Sequence, residues 1–214
     1  MRLRTALGVA AVDLYHQSWR LVVLNVLLGT LVVLIVLASI ASPLALALVV
    51  LLGPAALTVM HCAVTLAQTE ELRLGEAITG LRRHWRRGLV LGVLVTCAAV
   101  LGAFAVPFYA SAGRWAWPLA ALSIYVLLVF ALIQLALWPL AVFEEARSFR
   151  EVLRDAVLVV GRRPVGFVGL ALALLLVNAI GVAAAILPFL TLTIAYSFLV
   201  SAHFALPKNP AREV

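Results

Sequence analysis

Apolar residues run through this chain in long blocks, and the polar ones gather between them. The first block, residues 21–40, holds no charged side chain. As a helix it is long enough to cross a hydrocarbon core of about 30 Å. After the uncharged turn Ala41-Ser42-Pro43, residues 44–67 return, interrupted by Gly53-Pro54. Pro54 has no backbone N–H and its ring crowds the Val50 carbonyl, so a kink is expected there. Residues 88–109 and 118–143 make a second pair. In the link between them Arg114 lies among Tyr109, Trp115 and Trp117, side chains that favour the headgroup zone. The run 165–204 is too long for one tilted helix rising about 1.5 Å per residue. Leu187-Pro188 divides it into spans 165–186 and 189–204. The second is short, and a re-entrant or steeply buried segment is the alternative.

The polar stretches between the blocks have helical periodicity. In residues 1–20 the stripe is Leu3, Ala6, Leu7, Ala10 and Leu14, with Arg2, Arg4, Asp13 and Gln17 off it. In residues 68–87 it is Leu74, Ala77, Ile78, Leu81 and Trp85, flanked by Glu70, Glu71, Arg73, Glu76, Arg82 and Arg83. In residues 144–163 it is Phe149, Val152, Leu153, Ala156, Val157 and Val160; Arg147, Arg150, Glu151, Arg154 and Asp155 lie outside it. Such stripes suit helices lying on a membrane surface, and Glu151 and Arg154 are spaced to pair one turn apart. The pattern predicts an all-α polytopic membrane protein with six transmembrane helices arranged as three hairpins. Each hairpin is preceded by a cytoplasmic amphipathic interfacial helix. Residues 1–214 form one membrane domain with units 1–68, 69–143 and 144–206 and a polar tail, 207–214.

Composition sharpens this. The chain is 65% hydrophobic and 12% charged, with mean hydropathy +1.16, against roughly half apolar and a quarter charged in soluble domains. Lipid must therefore be the solvent for much of the surface. The net charge of +7 would suggest nucleic acid if it formed a soluble patch, but the basic residues sit at the ends of apolar runs and no nucleic-acid-binding pattern occurs. Arg82, Arg83, Arg86, Arg87, Arg162 and Arg163 are instead candidate contacts to anionic headgroups of the bilayer. With six spans only Arg114 falls on the far side, so the lysine and arginine bias puts both termini in the cytoplasm. Five spans would move Lys208 and Arg212 across without reversing the bias. Arg2, Arg4 and Ser39-Ile40-Ala41 imitate a signal peptide, but Asp13, His16 and Arg20 precede the apolar run, which reads as an uncleaved first helix.

Candidate chemistry is sparse. Cys62 and Cys97 both lie in apolar runs, where thiols act as small hydrophobes rather than as a disulfide or metal pair. His61 and Cys62 have Thr65 and Gln68 nearby, but a zinc or proton site there would need further ligands or a carboxylate. No predicted span contains one, so His61 reads as a helix-to-helix hydrogen-bonding group. His84, among arginines, reads as an interfacial residue kept neutral by like charge. His203 has Ser201 close by but no acid or cysteine with which to build a nucleophile. Asn25, Gln134 and Asn178 lie in different hairpins. They suit either a shared polar cavity for a neutral solute such as a sugar, or separate interhelical bonds. Gly88, Gly92, Gly102 and Gly181 offer small faces for close packing, and the Gly88–Gly92 pair reads as packing within the monomer. No catalytic, cofactor-binding or metal-binding residue is assigned, and no cofactor is expected.

One resemblance can be stated. Leu21 through Asn25, Gly53-Pro54-Ala55-Ala56-Leu57 and Trp85-Arg86-Arg87-Gly88-Leu89 resemble the YesL-like family of uncharacterised bacterial membrane proteins, over roughly residues 12–100. The Leu-Pro-x-Val-Thr that often precedes the family's Gly-Pro is not found here; Ser42-Pro43 comes earlier. The resemblance implies a bacterial inner membrane and an association with carbohydrate uptake or breakdown, and no catalytic residues. The expectation is a non-enzymatic accessory or scaffold protein, partnered by a transporter subunit or a second copy. The alternative is a small transporter or channel for a neutral solute, resting on the three amides.

Overall fold

The computed structural model describes residues 3–16, 18–69, 72, 75–184 and 193–207, which are helical almost throughout and contain no strand. Helix α1 is Leu3–His16 and α2 is Ser18–Ala41. The return begins as a 3-10 segment, Pro43–Leu51, and becomes the α-helix α3, Leu52–Thr69. Then come α4, Gly75–Ser111, and α5, Trp117–Phe143, joined by a turn at Gly113, whose φ of 105° suits a residue without Cβ. Helices α6, Phe149–Arg162, and α7, Pro164–Ala184, follow, and α8 is Ile194–Ala205.

Among the described residues, five helical stretches are long and apolar enough to cross a membrane: Trp19–Ala41, Leu44–Thr69, Gly75–Ser111, Arg114–Phe143 and Pro164–Ala183. The expected break at Leu187-Pro188 and the first residues of the span 189–204 lie outside the described residues, as does the tail beyond residue 207. The described part of that span, α8, has 12 residues. At about 1.5 Å per residue it falls well short of a bilayer core.

Helix α3 is the hub. Twelve of its residues are buried, from Gly53 to Ala67, and it packs on α2, α4, α5 and α8. Its contact with α4 brings backbone to backbone. A Cβ on Gly53 would lie 2.2 Å from the Gly88 carbonyl oxygen, one on Gly88 2.5 Å from Pro54 Cα, and one on Gly92 2.4 Å from the Val50 oxygen. The kink element and the small-residue pair thus meet each other. Pro54 withdraws the donor that would have covered the Val50 carbonyl, and Gly92 lets the neighbouring helix close over it.

The structure revises the surface helices in two ways. The expected junction before Gly88 is no junction, because the charged segment and the span form the single 37-residue helix α4, about 55 Å long. Roughly 20 residues suffice to cross the core, so the arginine-bearing first turns project beyond it. The stripes of α1 and α6 are those expected, but much of each is covered by protein: Ala6 and Ala10 are buried where α1 meets α8, and Val152, Ala156 and Val160 where α6 meets α5, while Val157 stays exposed. On α4 the stripe residues Ile78, Leu81 and Trp85 stay exposed, while the adjoining face, Gly80, His84 and Gly88, about a quarter-turn round the helix, is buried. Helix α6 opens on a capping box, with the Glu151 N–H donating to Ser148 Oγ and the Ser148 N–H to Glu151 Oε2. The carboxylate of Glu151 therefore turns back to the cap. Arg154 instead pairs with Asp155 at 3.5 Å, and so does Arg147, at 2.6 Å.

Candidate functional site

Where α3, α4 and the link between α5 and α6 meet, at the arginine-bearing end of α4, the fold collects polar side chains from three distant stretches of sequence. His61 reaches the site because Gly80 makes room for its ring: a Cβ there would stand 2.7 Å from His61 Cδ2. One turn further along α4, His84 is 2% exposed. Its Nε2 lies 3.2 Å from His61 Nδ1 and 3.0 Å from Glu145 Oε1. The other oxygen of Glu145 pairs with Arg83, and His61 Nε2 points toward Glu76 Oε2 at 3.6 Å.

Arg87 fixes the link that carries Glu145. Its guanidinium donates to the carbonyls of Ala141 at 2.8 Å, Glu144 at 3.1 Å, Glu145 at 2.7 Å, and also Arg147. The Ala141 carbonyl belongs to the last turn of α5, which has no further helical donors, and the other three belong to the link beyond it; a cation there also meets the negative end of the helix dipole. One arginine thereby sets the link, the link sets Glu145, and Glu145 sets the His84 ring.

Burial pushes the His84 imidazole below its ordinary pKa, against the pull of Glu145; His61, Arg83 and Arg87 add to the lowering. A neutral ring follows, as expected from the arginines, though desolvation is the larger cause.

The remaining sequence candidates fall elsewhere. Arg87 is taken up by carbonyls of the α5 end and the link beyond it, and Arg83 pairs with Glu145 while remaining exposed; Arg82, Arg86, Arg162 and Arg163 are exposed. Of the amides, Asn25 is wholly buried on α2. Gln134 accepts from Trp138 Nε1 of its own helix at 2.8 Å, and Asn178 donates to the Leu174 carbonyl and to Ser197 Oγ at 2.9 Å. The hydrogen bonds of Gln134 and Asn178 therefore do not join these two amides to each other. An apolar groove of about 330 Å³ opens between α4 and α5, lined by residues such as Leu101, Gly102, Leu127 and Phe130, and contains none of the three.

His203 does have an acid partner: Asp13 of α1 stands 2.9 Å from its Nε2. Ser201, however, donates to the Ser197 carbonyl at 2.8 Å, so the trio is not arranged as a nucleophile and its base.

His61, His84 and Glu145 fall in three separate units of the sequence. The signal that links them is the spacing of Gly80, His84, Gly88 and Gly92, four residues apart each time. That stripe marks a helix-to-helix face and puts His84 inside it.

Compared with protein-family models, curated proteins and solved structures, the chain gives no match to any of them.

Proposed function

We propose that the chain is a non-enzymatic accessory or scaffold protein of a bacterial inner membrane, crossing it six times as three hairpins with both termini in the cytoplasm. The observation that carries this reading is how the inward polar groups are used. Arg87 with the carbonyls of the α5 end and the α5–α6 link, His84 with Glu145, His203 with Asp13, and Asn178 with Ser197 are each bonded across elements. Groups satisfied in this way build a static frame. The lysine and arginine bias supports the orientation, and it leaves Arg82 and Arg86 exposed on one side for a partner or for headgroups. The short YesL-like motifs support a link to carbohydrate transport.

Purification of the tagged chain in mild detergent tests the reading. A stoichiometric partner, or a second copy, should accompany it and be lost in an Arg82→Glu, Arg86→Glu variant. Recovery of the monomer alone would count against a scaffold. The second reading, a transporter or channel for a neutral solute, rests on Asn25, Gln134 and Asn178 lining one path, with Asn178 the residue to test. In that case Asn178→Leu should abolish solute flux into liposomes, and unchanged flux would remove the residue from the pathway.

A further inference from the structure

We propose that His61, His84 and Glu145 form a binding site for one divalent transition-metal ion of the zinc type, stapling α3, α4 and the α5–α6 link together. Their ligand atoms all lie within 4.8 Å of one another. Two imidazole nitrogens and a carboxylate oxygen are a donor set that suits zinc. Ligands about 2.0–2.1 Å from a tetrahedral ion stand about 3.3–3.4 Å apart. Two of the separations here are already 3.2 Å and 3.0 Å, and the third, within 4.8 Å, closes on the ion as the His61 ring and the Glu145 carboxylate turn toward it.

The tautomers and the outer groups fit the same ion. With His61 Nδ1 as the ligand atom, its Nε2 carries the proton. That Nε2 is buried with no hydrogen-bond partner and aims at Glu76 Oε2, 3.6 Å away. A metal-bound histidine commonly donates its far N–H to a carboxylate, and a small ring rotation on binding would complete this bond. Arg83 holds the second oxygen of Glu145 and leaves Oε1 for the metal. His84 binds through Nε2 as the neutral ring, its single proton moving to Nδ1, so it releases no proton. The fourth coordination position falls to water.

The inference stands apart from the scaffold reading: loss of a partner would leave metal uptake intact, and loss of metal would leave a partner to be found. The test uses the full chain in detergent carrying Cys97→Ser, which removes the exposed thiol, stripped with a chelator and titrated with Zn²⁺ against a chromophoric competitor. One equivalent should bind. His84→Ala and Glu145→Gln should each weaken binding by far more than about tenfold, and Glu76→Gln by about 10–100-fold, as removal of an outer partner does. Absence of stoichiometric uptake, or affinity unchanged by His84→Ala and by Glu145→Gln, would overturn the proposal. Should those variants not fold, Co²⁺ bound to the Cys97→Ser protein decides: intense visible bands of a four-coordinate nitrogen and oxygen site support it, and only the pale spectrum of hydrated ion refutes it.

Discussion

Arg87 shows how much of this architecture a single side chain can hold. It supplies the donors for carbonyls of Ala141, Glu144, Glu145 and Arg147, and hydrogen bonds to a charged group contribute about 1.5–3 kcal/mol each, less when they share one donor group. Arg87→Ala should therefore lower unfolding stability in detergent by several kcal/mol, with Arg87→Lys, a point charge without the fork, recovering only part. An unchanged melting temperature in Arg87→Ala would show that the α5 end has other support. Glycines give a paired prediction. Gly88→Ala puts a methyl 2.5 Å from Pro54 Cα, a backbone atom, and should cost about 1–3 kcal/mol or more. Gly8→Ala, on the exposed face of α1 with nothing within 4 Å, should gain about 0.5–1 kcal/mol of helix propensity. Thermal unfolding of both checks the contrast, and equal effects would contradict the close crossing. Arg87 was readable in the sequence only as a cation beside lipid. Its acceptors are backbone carbonyls more than fifty residues away, which no side-chain pattern announces.

Helix boundaries were more legible, because they follow from hydrophobic length and helical period. The blocks 21–40, 118–143 and 165–186 correspond to α2, α5 and α7 within a few residues. What period does not specify is whether a stripe meets lipid or protein. The Val152, Ala156 and Val160 face of α6 meets α5 instead of headgroups. Nor does it specify whether two adjoining helices fuse: across Arg87-Gly88 no residue stops the helix, and α4 runs on. At the start of α6 the Ser148 N–H and hydroxyl hold the Glu151 carboxyl below its usual range. With the folded value depressed, the contribution of this cap is present at neutral pH and is lost as pH falls through the lowered value. Ser148→Ala should raise the Glu151 pKa toward that of a free glutamate in an NMR titration and fray the first turn. A Glu151 titration unmoved by the substitution would mean the box is not formed in solution.

At the scale of the whole chain, all segments but the last follow one pattern: an uncharged stretch long enough to span, with arginines beside one of its ends. In the six-span arrangement Arg114 alone lies at the opposite set. The His61, His84 and Glu145 cluster belongs to the arginine-bearing ends, since His84 directly precedes the span and Glu145 follows another. Orientation and candidate site therefore stand together, and one measurement reaches both. In a chain with Cys62→Ser and Cys97→Ser, single cysteines at Arg82, Arg162 and Arg114 would be exposed to a membrane-impermeant maleimide in intact spheroplasts. Arg114→Cys should label at once, and Arg82→Cys and Arg162→Cys only after the membrane is opened. Labelling of Arg82→Cys and Arg162→Cys from opposite faces would contradict the account.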